Sequence, residues 1–401
     1  MPQYLSPGVY VEEVESGANP IAGVGTSTAG FIGRVANNVQ MPPIPGKFQL
    51  DANGRPELDS QGVPIPILYT VAPQNEPQLI TSWEQFKSTF GDFQNGNKVL
   101  AHAVYGFFNN GGTRCWITRI ADAGDQTQVT AALQGFEAID EIALVLVPGA
   151  VDAGIHGAIM DHCENMGDRF AILDANNVDS AEKDDIQGTT RSSDYAAMYF
   201  PWIKVYDPVS KDTAVIPPSG HMAGIYARVD AQRGVHKAPA NEVIRGAIGV
   251  ARRISKAEHD GLNPDGINVL RLFDNNVTVW GARTLGGDDN GEWKYINVRR
   301  LFLFLRESID EGTQWVVFEP NKNDLWAKIR RNVSAFLTVV WRSGALFGTT
   351  PSEAFYVKCD ADTNPPEVRD LGQVVTEIGV SVAKPAEFVI FRISQWAGPG
   401  Q

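Results

Sequence analysis

Between Leu79 and Asp174 the chain alternates helix-type and strand-type patterns, and this alternation restricts the fold more than any other feature. Thr81 or Ser82 can cap a helix through Phe86 that Gly91 ends. A second helical pattern over 99–108 stops at Asn109-Asn110-Gly111-Gly112. A strand over Cys115–Ile120, a helix over 129–139, a buried strand over 144–147, a helix over 155–166 and a strand over 169–173 ending at Asp174 follow. Strands separated by helices of this length build an α/β layer around a central sheet.

After Gly281 the pattern changes to α+β. Helices are expected over 296–309 and 325–346, then a strand at 355–359, a loop at Asn364-Pro365-Pro366, and strands near 373–382 and 387–393. Residues 40–77, rich in Pro, Gly, Asn and Asp, read as an inserted surface loop or hairpin around Asn53-Gly54. No internal repeat is apparent.

Both ends carry short strand patterns: Val9, Tyr10, Val11 and Val14 at one, and Phe388, Val389, Ile390 and Phe391 at the other. Gly17, Pro20 and Pro385 separate them from the body. Such a strand either joins a sheet of its own chain or is lent to a neighbour's sheet edge. Both readings stay open at this stage.

The net charge of −13 argues against a nucleic-acid binder. It is concentrated in residues 120–200, where 15 Asp/Glu face 3 Lys/Arg, whereas 201–401 hold 23 against 24. Cys115, Cys163 and Cys359 are too far apart for a disulfide framework or a CxxC metal site, so a reducing compartment is expected. No secretory leader is expected from MPQYLSPGVYVEEVESG, and no apolar run approaches the ~20 residues of a membrane span.

Candidate chemistry is sparse. In Gly23-Val-Gly25-Thr-Ser-Thr-Ala-Gly30 the third glycine of a dinucleotide motif is missing, and Phe31 stands where a P-loop needs Lys. Asp360-x-Asp362-x-Asn364 imitates a calcium loop, but Pro365 replaces the required Gly and Leu371 the bidentate Glu. Neither GxSxG nor HExxH occurs. No catalytic, cofactor or metal residues are assigned. The helix after Asn323-Asp324 is more informative. Leu325, Trp326, Ile329, Val333, Phe336, Leu337, Val340 and Trp341 fill one arc, and Lys328, Arg331 and Arg342 lie opposite around Ala335. That basic stripe is either a solvated face or a partner contact.

Short stretches spread along the chain resemble, in order, those of one known family. The stretches that carry the resemblance begin with Tyr4-Leu-Ser-Pro-Gly-Val-Tyr-Val-Glu-Glu-Val14, Phe90-Gly91, Ala103-Val-Tyr-Gly-Phe-Phe-Asn-Asn-Gly-Gly112 and Val145-Leu-Val-Pro-Gly149. Tyr199-Phe-Pro-Trp202, Pro217-Pro-Ser-Gly220 and Arg233-Gly-Val-His-Lys-Ala-Pro-Ala-Asn241 continue the series. Trp280-Gly-Ala-Arg-Thr284, Tyr295-Ile-Asn-Val-Arg-Arg300, Val317-Phe-Glu-Pro-Asn321 and Pro385-Ala-Glu-Phe388 complete it. With this series the chain resembles the contractile tail sheath proteins of phages, R-type pyocins and contractile injection systems.

The resemblance implies a non-enzymatic subunit of a helical sheath of six-membered rings around an inner tube, which contracts to drive the tube through a target envelope. It implies a multi-domain α/β and α+β subunit: an N-terminal arm (1–25), an outward α/β domain (26–244, with the 40–77 insertion), an inner, tube-facing α+β domain (245–385) and a C-terminal strand arm (386–401). The implied partners are further copies of the chain, paralogous sheath subunits, the inner tube protein, and baseplate and cap proteins, with no nucleic acid, no direct membrane insertion and no cofactor. Assembly in a bacterial cytoplasm is expected, as part of a phage tail or a released tail-like particle. The compact length is more like a pyocin-type or extracellular injection particle, and one continuous chain argues against the type VI branch. A non-contractile tail or baseplate component and an α/β hydrolase are the competing readings.

Overall fold

The computed structural model describes residues 20–392. They form two compact units: 24–307 with 382–392, and 308–381 with 20–23. In chain order the elements are β1 (Ala29–Arg34), β2 (Pro43–Phe48), β3 (Pro66–Leu68), β4 (Gln78–Ile80), α1 (Trp83–Phe90), α2 (Lys98–Asn110), β5 (Cys115–Ile120) and α3 (Gln126–Phe136). Then come β6 (Leu144–Leu146), α4 (Ala153–Met166), β7 (Phe170–Asp174), α5 (Lys183–Gln187), β8 (Ala196–Phe200), β9 (Ile203–Asp207), β10 (Asp212–Ile216) and α6 (Ser219–Arg233). The rest are β11 (Ala247–Val250), α7 (Lys256–Leu262), β12 (Ile267–Phe273), β13 (Asn276–Val279), α8 (Ile296–Thr313), α9 (Asn323–Arg342), α10 (Pro351–Ala354), β14 (Phe355–Lys358), α11 (Pro366–Asp370) and β15 (Glu377–Val380).

The larger unit is built on a sheet of order β13-β12-β8-β7-β6-β1-β5-β4. Its six inner strands are parallel, and the edge strands β4 and β13 run antiparallel. Both faces are covered, which is why β7 (FAILD), up to its final Asp174, and β8 (AAMYF) read as apolar runs. Alternate residues serve opposite faces: Phe31 and Tyr199 join the cluster that includes Phe107 of α2 and Tyr226 of α6, while Ile32, Met198 and Phe200 join the one that includes Phe136 of α3 and Ile159 of α4. Helices α2 and α6 touch backbone to backbone. A Cβ on Gly220 would collide with the carbonyl of Ala103, one on Gly224 with that of Phe107, and one on Gly106 with the His221 ring. The boundary expected at 244/245 does not follow this sheet, because β12 on one side of it pairs with β8 on the other.

Residues 43–68 form an exposed hairpin, as its turn residues suggest, and they also contain a repeat that the sequence reading missed. Leu50-Asp-Ala-Asn-Gly-Arg-Pro-Glu57 is followed directly by Leu58-Asp-Ser-Gln-Gly-Val-Pro-Ile65. In the first copy Asp51 Oδ1 accepts from Asn53 N and Arg55 N; in the second Asp59 Oδ1 accepts from Gln61 N and Val63 N, all at 2.8–2.9 Å.

The smaller unit holds the later part of α8 from Ser308, α9, and a two-stranded antiparallel sheet in which β14 pairs with β15 from Phe355↔Val380 to Lys358↔Glu377. Tyr356 lies over Gly379, which has no side chain of its own to pack. The rejected calcium-loop residues form a turn: Asp360 Oδ1 accepts from Asp362 N at 2.9 Å, and Asn364 clamps the backbone of Val375.

Candidate functional site

The C-terminal segment was expected to be a strand over 387–393. Through Arg392 it is not one in this chain, because no ladder partner meets it among the described residues. Residue 393 lies outside them. Phe388, Val389, Ile390 and Phe391 are 70%, 68%, 76% and 85% exposed. Four adjacent apolar side chains in water leave this segment incomplete as it stands.

Its root is fixed firmly. Glu387 accepts from Arg283 Nε at 2.8 Å and Nη2 at 2.9 Å, from Asn263 Nδ2 at 2.7 Å and from Tyr295 OH at 2.9 Å. Burial pushes the Glu387 carboxyl up, and the bonds from Arg283, Asn263 and Tyr295 outweigh it and hold it below its ordinary value. Burial and the nearby Glu387 charge raise Tyr295 to about 12. Asn297 adds a bond to the Ala383 carbonyl at 3.4 Å and another to the His236 carbonyl at 2.8 Å.

The other end of the larger unit is rooted in the same way. Arg300 grips Asp230 through two bonds of 3.0 and 2.7 Å and donates to the Thr26 carbonyl at 2.8 Å, while Thr26 Oγ1 donates to Asp230 at 2.6 Å. Arg300 also stacks over Tyr226, whose hydroxyl bonds that of Tyr199 at 2.7 Å. Each root is a bidentate Arg–carboxylate pair with additional donors, the arrangement that makes a buried pair geometrically specific.

Stretches quoted separately above meet at these roots. Arg283 and Tyr295 converge on Glu387, and Asn297 ties to His236. Asp174 joins two more, accepting from Gly149 N at 2.9 Å and from Ser219 N and Oγ at 2.9 and 2.6 Å. Burial raises the Asp174 carboxyl to about 6 against the pull of those bonds.

In the smaller unit, α9 buries the expected arc, with Asn332 added and Trp341 half-buried. Lys328, Arg331 and Arg342 are exposed on one side with Ala335. Val339, which the sequence reading had left out, is 64% exposed on that stripe. Arg330 turns away and bonds the Cys359 carbonyl. The outer edges of β14 and β15 carry no further strand among the described residues. Val9, Tyr10, Val11 and Val14 lie outside the described residues. The acidic region is as exposed as its charge suggests at Asp179, Glu182, Asp184 and Asp185, with Arg252 bonded to Asp179 at 3.1 Å. No cluster of three or more His, Cys, Asp or Glu among the described residues could hold a metal ion.

Comparison with known proteins defines the class. The phage tail sheath protein central domain matches residues 123–285, and the phage tail sheath C-terminal domain matches 288–395. A putative prophage major tail sheath protein of Pseudomonas aeruginosa (strain UCBPP-PA14) is 25% identical over 288 residues, covering 69% of this chain and 72% of that one. The tail sheath protein of Burkholderia phage BcepMu is 28% identical over 209 residues, covering 50% of this chain and 43% of its own. Among solved structures, the contracted sheath complex of PVC, an extracellular contractile injection system, superimposes with a TM-score of 0.77 at 27% identity over 99% of both chains. A chain of the anti-feeding prophage baseplate gives 0.75 at 28% identity over 98% of this chain and 99% of that one. The chain belongs to the phage tail sheath family. It is a structural subunit of a contractile sheath, with a mixed α/β, multi-domain fold.

Proposed function

We propose that copies of this chain polymerise as stacked six-fold rings around an inner tube, in a particle of the extracellular contractile injection type, and are knitted together by their terminal arms. The reading rests on one observation: an apolar segment, Phe388–Phe391, is firmly rooted at Glu387 yet unpaired among the described residues, which also leave both outer edges of the β14–β15 sheet open. A lone two-stranded sheet is marginal in water, and added strands complete it through main-chain bonds that tolerate side-chain variation. The C-terminal arm of one subunit, and the N-terminal arm with Val9, Tyr10, Val11 and Val14, would each add to a neighbour's β14–β15 sheet. Rigid subunits can then rotate and slide during contraction without losing connection.

The unit containing α9 faces the tube, with Lys328, Arg331 and Arg342 making a polar contact that breaks when the sheath expands. The acidic 120–200 region faces solvent and keeps particles apart. Assembly takes place in the bacterial cytoplasm, with tube, baseplate and cap proteins and paralogous sheath subunits as further partners. Truncation after Glu387 tests the central claim. The expected product is a folded subunit with an unchanged far-UV spectrum that forms no rings or sheaths by negative-stain microscopy. Normal sheaths from the truncated chain would refute the mesh.

A further inference from the structure

The larger unit contains a cavity of about 780 Å³ whose features are unrelated to either arm root. One wall is aromatic: Trp83 and Phe93 lie 4.8 Å apart, and Tyr105 stands edge-on to them at 5.3 and 5.5 Å. Tyr206, exposed, lines it from β9. Two histidines from packed helices, His102 of α2 and His221 of α6, are both buried there.

His221 Nδ1 and His102 Nε2 have no hydrogen-bond partner among the described residues, and the Asp207 carboxylate stands 3.6 Å from His102 Nε2. Burial holds the His221 imidazole down at about 3 and lowers that of His102, so both are neutral near pH 7 and carry lone pairs. Burial alone would raise Asp207. The Lys98 ammonium at 2.7 Å, with bonds from Val209 and Ser210, holds that carboxyl at about 2. Lys98 is thereby committed. Asp92, exposed on the cavity wall, has no basic partner among the described residues.

Ring faces, imidazole lone pairs and an unpaired carboxylate all favour a positively charged N–H donor, and the volume is that of a ligand site. We propose that this cavity binds a guanidinium or primary ammonium group carried on an aliphatic stem. The head group sits against the aromatic faces, and the stem runs along Val205 and Val209. The same chemistry is offered by a free organic amine and by an Arg or Lys side chain of a second copy of this chain.

Titration of the full-length, unassembled subunit with n-butylguanidinium and with its uncharged counterpart n-butylurea, followed by ligand-observed NMR, tests the proposal. The charged probe should saturate a single site at least 10-fold more tightly than the urea. Tyr105→Ala and Tyr206→Ala, both at exposed positions, should each weaken it by roughly 3- to 30-fold with an unchanged unfolding temperature. Equal affinity for the two probes, absence of saturable binding, or indifference to both substitutions would overturn it. Repeating the titration on assembled sheath distinguishes the sources. Loss of the site on assembly assigns it to a neighbour's side chain, and an unchanged affinity assigns it to a free amine.

Discussion

The larger unit flanks its parallel strands with a short antiparallel strand on either side, whereas the smaller unit stops at two strands with both outer edges open among the described residues. The first packs helices onto both sheet faces and ties its ends down with Arg283–Glu387 and Arg300–Asp230. The second exposes Val339, Phe347, Tyr356, Leu371 and Phe318, the last on a left-handed backbone at φ 67°. A residue of that size in that region costs of order 1–3 kcal/mol unless its surroundings require it. The contrast matches the two tasks in the proposed mesh: a large sheet closed off by its own edge strands, and a small sheet that strands lent by other copies would complete.

Four changes would sharpen or break this contrast. The largest effect is expected at the helix contact of the self-sufficient unit. Gly220→Val would push α6 off the Ala103 carbonyl and cost about 1–3 kcal/mol or more, lowering the unfolding temperature measured by calorimetry. An unchanged temperature would mean that α2 and α6 are not held in backbone contact.

Next comes Glu387→Gln. It removes the charge from a half-buried bidentate pair while keeping its shape, and should cost about 1–3 kcal/mol in denaturant unfolding. It should also release the C-terminal arm, seen as faster hydrogen exchange at residues 383–391.

A pH dependence follows from His221. Its imidazole titrates at about 3 in the fold and near the ordinary 6.5 when unfolded. The unfolded chain therefore binds the extra proton between those values, so stability is complete above about 6.5 and falls as pH drops towards 3, at up to about 1.4 kcal/mol per pH unit. His221→Gln should flatten that slope in urea titrations between pH 4 and 7; a slope that persists would assign it to other groups.

The smallest folding effect is expected in the incomplete unit. Lys328→Glu with Arg331→Glu should shift subunit stability by about 0.5 kcal/mol or less, since both side chains are exposed. Sheath yield on tubes should nevertheless fall and become less sensitive to salt. Unimpaired assembly would remove the basic stripe from the tube interface.

Local signals carried much of the fold. Ser82 caps α1, Gly91 and Gly111 end α1 and α2, and β5 has the bounds its pattern suggests, because each depends on residues within a turn or two of chain. Helix α6 shows the opposite case. It is buried continuously from Ser219 to Val229 and presents glycines to α2, so it has no one-sided apolar stripe to reveal it. Gly30, which closes the glycine-rich stretch, and Gly33 beyond it have a packing explanation. A Cβ there would come within 2.8 Å of Phe136 and 2.9 Å of Leu100.

The ordered series of short motifs established the family, and helical periodicity placed Lys328, Arg331 and Arg342 on one exposed face, because both kinds of signal are written in neighbouring residues. Three-dimensional packing alone made Glu387 an anchor. Its partners Arg283, Asn263 and Tyr295 stand 104, 124 and 92 residues away, and no local pattern encodes a carboxylate that distant donors will surround. Packing also left Phe388–Phe391 without a ladder among the described residues: a strand pattern records what a segment can pair with, and pairing itself requires a second edge that none of the described strands brings to it.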